Sequence, residues 1–233
     1  MGRLEFSDGR VLGEREGAFI IAEAGVNHGG ELDRAKALVE VAVEAGADAV
    51  KFQTFQTDKL VTEGAEKADY QKDQLDGAQT QREMLRELEL APGMHRELQA
   101  ECEEHDILFL STPFDTESAD LLEQLGVPAF KVGSGELTNL PFLTHLAAKQ
   151  QPMIVSSGMS DLGELEEAVC TIEDQGNRDI VLMHCVSNYP ASPASTNLRA
   201  IDTISRAFGY PTGLSDHTMG IEIPIAAVAR GAA

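Results

Sequence analysis

Short apolar runs alternate with longer stretches of helical periodicity along almost the whole chain. The first run, "FIIAE" (19–23), leads through "AGVNHGG" to a stretch from Leu32 to about Ala45, where Ala35, Leu38, Val39, Ala42 and Val43 share one face. "GADAVKFQ" (46–53) stops that helix and begins a second strand. "ILFLST" (107–112) precedes a helix over 116–125, "AFKVGS" (129–134) one over 140–149, and "MIVSSG" (153–158) one over 162–174. "IVLMHCVS" (180–187) precedes a helix near 196–207, and "TGLSDH" (212–217) precedes the run "IEIPIAAVAR". Between the second and third strands, 58–79 reads as a long polar loop leading into helices over 80–90 and 93–105.

The strand runs are apolar without alternating, as expected where both faces of a sheet are covered. Strict strand–helix alternation predicts a parallel sheet with right-handed crossovers, built here from about seven βα units. An open doubly wound sheet and a (β/α)8 TIM-type barrel both satisfy that pattern. Polar residues decide between them. They stand at the C-terminal ends of nearly every strand: Glu23, Lys51 and Gln53, Thr112, Lys131 and Ser134, Ser156, His184 and Ser187, Ser215 and His217. A barrel gathers those ends at one mouth, whereas an open sheet equips only its switch-point strands. No GxGxxG or GxxxxGK[ST] stands at a strand–helix junction. The expectation is a (β/α)8 barrel over 18–233 with only about seven units present, behind an N-terminal extension at 1–17.

Composition narrows the function. The 233 residues are 42% hydrophobic, enough for one large domain or two small ones. With 39 acidic against 18 basic residues the net charge is −21, which excludes a nucleic-acid binder. Any anion site must therefore be locally positive. Either a high-salt cytoplasm or an ordinary acidic protein accounts for the surplus. Cys102, Cys170 and Cys185 form no CxxC or zinc pattern and read as buried thiols in a reducing compartment. "MGRLEFSDGR" lacks the apolar stretch of a signal peptide, and no apolar run approaches the ~18 residues of a membrane helix. A cytoplasmic protein without membrane contact is expected.

Candidate chemistry lies at the strand ends. Lys51 and Lys131 are the basic residues inside apolar strands, and two ammoniums there suit a phosphate or carboxylate, although a lysine can also simply snorkel out of a strand. The turns "STPF" (111–114), "GSGE" (133–136) and "SSGM" (156–159) offer hydroxyls and backbone N–H groups to an anion, or serve as ordinary helix caps. Glu23 is either an ion-pair partner of a lysine or a general acid/base. His28, in a glycine-flanked turn, and His217 are candidates for metal ligation or for core packing. Tyr189 in "SNYPASP" lines a pocket or packs beneath it.

"FIIAEAGVNHGG", "AVKFQTF", "STPFD", "KVGSGE", "SSGM", "HC-x-x-x-YP" and "GLSDHT" together resemble the sialic acid synthase family, in order over 18–233. The resemblance implies a (β/α)8 barrel followed by a small antifreeze-like domain. It implies condensation of phosphoenolpyruvate with an N-acetylhexosamine (N-acetylmannosamine or a related 2,4-diamino sugar) to give a sialic acid or other nonulosonate and phosphate. It further implies Mn²⁺ or another divalent metal such as Mg²⁺ or Co²⁺, and a homodimer for the full-length family. Residue by residue, it implies that Lys51, Thr112, Lys131, Ser134 and Ser156 hold phosphoenolpyruvate, and that Glu23 and His217 are catalytic. Gln53, Ser187, Asn188, Tyr189 and Asp216 would meet the sugar, and His217 would ligate the metal.

The chain departs from the family pattern in two places. Ser187 stands where the family commonly has an Asn, with Asn188 beside it. The chain ends at "VARGAA", where the family's eighth strand brings a second metal-binding His and where the antifreeze-like domain would follow. Two other readings accompany the synthase: a barrel that binds phosphoenolpyruvate without catalysis, and another phosphoenolpyruvate-dependent sugar-acid synthase.

Overall fold

The computed structural model describes residues 3–6, 9–13, 17–62, 65 and 80–233. In chain order its strands are β1 (Arg3–Glu5), β2 (Val11–Gly13), β3 (Ile21–Gly25), β4 (Ala49–Thr54), β5 (Leu108–Pro113), β6 (Phe130–Val132), β7 (Met153–Ser156), β8 (Ile180–Cys185) and β9 (Thr212–Ser215). Its α-helices are α1 (Leu32–Glu44), α2 (Thr57–Leu60), α3 (Gln81–Leu88), α4 (Pro92–Glu104), α5 (Thr116–Leu125), α6 (Leu140–Ala147), α7 (Leu162–Asp174), α8 (Arg199–Phe208) and α9 (Glu222–Ala229). These fall into two compact units, Ile20–Val127 and Met1–Phe19 with Pro128–Ala233.

In the 20–127 unit, β3, β4 and β5 pair in parallel, with Glu23 opposite Lys51 and Gln53 opposite Thr112. β4 is buried at five of its six positions, and Val50, Phe52 and Leu110 are no more than 1% exposed, so this sheet is covered on both faces. Helix ends follow side-chain chemistry. Asp115 caps α5 by accepting from Ser118 N–H at 2.8 Å, and Gly126 ends the helix at φ 72°, a left-handed conformation that glycine adopts without penalty. Thr80 and Glu83 form a reciprocal capping box on α3.

In the 128–233 unit, β6, β7, β8 and β9 pair in parallel in sequence order. Phe130, Met153, Ile154, Leu143, Leu146 and Leu165 are at most 1% exposed between strands and helices. Each such burial contributes roughly 1.5–3 kcal/mol. A second capping box, Asp161 with Glu164, starts α7.

The predicted helices at 116–125 and 162–174 stand at those bounds, and the others shift by one to three residues. Three differences have physical causes. The first strand begins at Ile21, because Ile20 N–H donates to Asp48 Oδ2 at 2.7 Å and lies outside the ladder. Glu23 therefore sits inside β3, at a register shift between Glu23 and Gly25, and does not end the strand. The N-terminal extension is not bare: β1 and β2 form an antiparallel hairpin that buries Leu4 and Leu12, and Phe6 meets Phe19 at 5.1 Å between ring centroids. In the loop expected at 58–79, α2 occupies Thr57–Leu60, held by Thr57 N–H and Oγ1 donating to Glu89 Oε2; residues 63, 64 and 66–79 lie outside the described residues. Among the described residues, no helix is long and apolar enough to cross a membrane.

Candidate functional site

The candidate residues fall in two clusters, one in each unit. In the 20–127 unit, Lys51 is buried in the middle of β4 and does not stand at the strand end expected for it. It forms an ion pair with Glu23 Oε2 and donates to Thr112 Oγ1 at 3.3 Å. Strand register explains this trio: Glu23 is directly across from Lys51, and Thr112 lies two residues beyond Leu110, the partner of Lys51 on the other side. Gln53 shares that face. A side chain at Gly25 would reach both Glu23 Oε1, at 3.2 Å, and Gln53 Nε2, at 3.6 Å.

Alternation along the strands sends neighbouring polar residues the other way. Ser111 and Thr54 are buried with His95 of α4. His95 Nδ1 faces the Ala91 carbonyl at 3.2 Å, and a carbonyl only accepts, so Nδ1 carries the proton and Nε2 accepts from Thr54 Oγ1 at 2.9 Å. Thr54 Oγ1 then accepts from Ser111 Oγ at 2.7 Å. Sequence reading did not single out this relay, because its members are far apart in the chain and periodicity marks burial, not partners. Burial lowers the pKa of His95. His28 is fully buried near Phe52, its Nδ1 accepting from Gly30 N–H at 2.9 Å. Burial, then the neighbouring His95, lower its pKa. The Gly25 carbonyl pulls the other way without meeting Nε2 in a full hydrogen bond. Of the two alternatives for His28, core packing is the one realised.

In the 128–233 unit, buried Lys131 donates to Ser156 Oγ at 2.5 Å and to the Val132 carbonyl at 2.8 Å. Ser134, in the turn after β6, accepts from Gly158 N–H at 2.9 Å. Ser157, next to Ser156, instead donates to the Met183 carbonyl. The "SSGM" turn thus divides its two hydroxyls between the lysine and the sheet.

His217 follows β9, and its Nδ1 donates to the Val186 carbonyl at 2.9 Å. That bond leaves Nε2 as the nitrogen with a lone pair in the neutral ring. Cys185 Sγ lies 4.0 Å from Nδ1 and 3.9 Å from Ser187 Oγ. Burial alone would raise the Cys185 pKa; contacts with His217, Ser134 and Ser187 outweigh it and bring the thiol down to about 7. The Cys185 contact in turn raises the pKa of His217 against its burial. Tyr189, more than half exposed, lies over His217 with ring centroids 4.2 Å apart. Ala191 N–H donates to the His217 carbonyl at 2.8 Å and fixes the loop there. Asn188 is exposed and Ser187 half-buried. Asp216 accepts from Thr218 N–H and Oγ1 at 3.0 and 2.9 Å, so its carboxylate is engaged within its own turn. His184 points away from this group, donating from Nε2 to the Thr196 carbonyl at 2.6 Å.

No group of three or more His, Cys, Asp or Glu among the described residues is placed to hold a metal. His217 Nε2 is a single donor, and a divalent cation is held by several. The residues present do not by themselves fit the metal that the resemblance implies.

A solved structure of N-acetylneuraminic acid synthetase from Leptospira borgpetersenii serovar Hardjo-bovis, in complex with citrate, superposes with a TM-score of 0.88 and 32% identity, covering 99% of this chain and 75% of that one. A truncated 3-deoxy-D-arabino-heptulosonate 7-phosphate synthase from Thermotoga maritima superposes at a TM-score of 0.71 with 14% identity, a likeness of fold alone. The fold is of the (β/α)8 type, represented among the described residues by seven parallel strand–helix units. Residues 38–233 match the model of the NeuB family, and the chain belongs to that family. The chain is 50% identical over 218 residues to N,N'-diacetyllegionaminic acid synthase of Legionella pneumophila, covering 92% of this chain and 61% of the relative. It is 39% identical to human N-acetylneuraminate-9-phosphate synthase, covering 98% of this chain and 64% of the relative. The chain thus spans somewhat under two thirds of the length of these relatives.

Proposed function

We propose that this chain is the barrel portion of a nonulosonate synthase that condenses phosphoenolpyruvate with an N-acetylhexosamine or a related 2,4-diamino sugar. The observation that carries the reading is the pair of buried strand lysines, each in contact with a hydroxyl in a protein of net charge −21. Buried ammoniums held by polar contacts present positive charge without the entropic cost of ordering a free surface lysine. The named relatives, all sugar-acid synthases, support the same class.

In this reading Lys51 with Thr112, and Lys131 with Ser134 and Ser156, are each a group suited to an anionic end of phosphoenolpyruvate, its phosphate or its carboxylate. C3 of the enol forms a bond to the aldehyde carbon, whose oxygen takes a proton. Water adds at C2, and phosphate departs with cleavage of the C2–O bond. Glu23 accepts the proton released by the water. Tyr189, Ser187, Asn188, Gln53 and Asp216 are offered to the sugar. The catalysis asked of these side chains is positioning and electrostatic stabilisation. A divalent metal would need donors beyond His217. Of the three free thiols, expected to be buried, Cys102 and Cys185 are buried, but Cys170 of α7 is exposed, because its helix position faces away from the packed side; free thiols suit a reducing cytoplasm.

Calorimetric titration with phosphoenolpyruvate, followed by a product assay with N-acetylmannosamine, its 6-phosphate and a 2,4-diamino sugar, tests the reading. Saturable phosphoenolpyruvate binding and a nonulosonate product from one of these sugars are expected. Binding without product from any of them would leave a phosphoenolpyruvate-binding barrel, and no binding would overturn the proposal.

A further inference from the structure

We propose that Gly158 is a positioning residue for the Ser134 hydroxyl, and through it for phosphoenolpyruvate binding at the ends of β6 and β7; this rests on the functional reading above. Gly158 is buried, two residues beyond Ser156, the hydroxyl that holds Lys131. Its N–H donates to Ser134 Oγ at 2.9 Å. A serine oxygen that accepts in this way keeps its own O–H for an acceptor, which is the Cys185 sulfur in the structure and an anion oxygen when the ligand is bound, so the bond aims a donor as well as fixing an atom.

Space is what requires glycine here. Gly158 is not among the glycines with positive φ, so its backbone conformation is open to any residue. A Cβ at this position would stand 2.4 Å from Ser187 Oγ, 2.7 Å from Ser134 Oγ and 3.0 Å from Cys185 Sγ. Three heteroatoms from two other segments thus close on the point where a side chain would begin. Gly135, in the neighbouring "GSGE" turn, also lacks a positive φ, and a Cβ there would meet nothing within 4 Å. Of two glycines that look alike in sequence, one is a spacer in open solvent and the other is the floor on which Ser134 rests. An alanine at 158 would displace the very oxygen that accepts from its backbone.

The test compares Gly158→Ala with Gly135→Ala, reading phosphoenolpyruvate affinity by calorimetry and folding by thermal melting. Gly158→Ala is expected to weaken binding about 10- to 100-fold, the loss of one hydrogen bond to a charged ligand, and Gly135→Ala to stay within about twofold. Ser134→Ala should match Gly158→Ala, and the double variant should bind no worse than either single one, because both remove the same interaction. Ser187→Ala takes away the nearest clash, so in that background the Gly158→Ala loss should shrink. The same background supplies the comparison if Gly158→Ala alone melts too low to measure. Wild-type-like binding by Gly158→Ala, or losses that add with Ser134→Ala, would overturn the inference. A wild-type chain that fails to bind phosphoenolpyruvate overturns the functional reading instead.

Discussion

At β4 the Lys51 ammonium meets a carboxylate, Glu23, while at β6 the Lys131 ammonium is oriented by the Ser156 hydroxyl and the Val132 carbonyl. A hydroxyl or carbonyl meets an ammonium with a partial charge, whereas a carboxylate meets it with a full one. The surroundings differ as well. Beneath the Lys51 cluster runs a buried relay from Ser111 through Thr54 to His95, shut away from solvent. Beside the Lys131 cluster lies a couple of buried Cys185 and half-buried His217, with the exposed Tyr189 ring over the imidazole. The 20–127 unit thus builds its cluster on a rigid polar core, and the 128–233 unit builds its own on loops closed around a glycine.

The contrast can be broken at graded cost. Lys131→Ala should lower phosphoenolpyruvate affinity by about 2–4 kcal/mol, the range for removing one partner of a desolvated charge contact. Unchanged affinity in a calorimetric titration would remove Lys131 from the anion site. Thr54→Val leaves the His95 acceptor and the Ser111 donor buried without partners and should cost about 1–3 kcal/mol of stability in denaturant melts. A neutral result would mean that the relay is filled by water.

Acid should act through the buried histidines. The pKa values of His28 and His95 are held below the ordinary 6.5, so under pH 6.5 the unfolded chain binds protons that the folded chain refuses. Stability should then fall as pH drops from 6.5, by at most about 1.4 kcal/mol per pH unit for each histidine. His95→Gln should flatten that slope in urea melts at pH 7, 6 and 5. A slope equal to that of the wild type would assign acid sensitivity elsewhere.

The smallest effect belongs to Glu23→Gln. The Glu23 side chain is 52% exposed, so its ion pair with Lys51 is worth closer to a surface pair, under about 1 kcal/mol. A melting shift corresponding to several kcal/mol would make the pair structural, in place of the proton-accepting role proposed for Glu23.

Much of the fold and part of the site could be read in advance. Lys51 and Lys131 stood out because a basic residue interrupts an apolar run, a signal that needs no neighbours. The helices 116–125 and 162–174 were legible from periodicity, and in the structure they start at the caps Asp115 and Asp161. The hairpin at 3–5 and 11–13 was not, since three-residue strands have too few positions to display alternation. His28 in its glycine-flanked turn carried the same two alternatives as His217, and only packing separates the buried ring from the half-buried one. Ser111 and Thr112 are identical in kind and adjacent in sequence, yet strand register turns one to the His95 relay and the other to Lys51.

By itself the sequence determined the order of parallel strands and helices, the polar character of the strand ends and the two buried ammoniums. These follow from patterns local to each segment. Tertiary structure alone decided which of two adjacent hydroxyls meets a lysine, that His28 belongs to the core, that Cys185 stands against His217, and that Gly158 must be glycine while Gly135 need not be. Each of these depends on register and on distances between residues far apart in the chain, which no periodicity encodes.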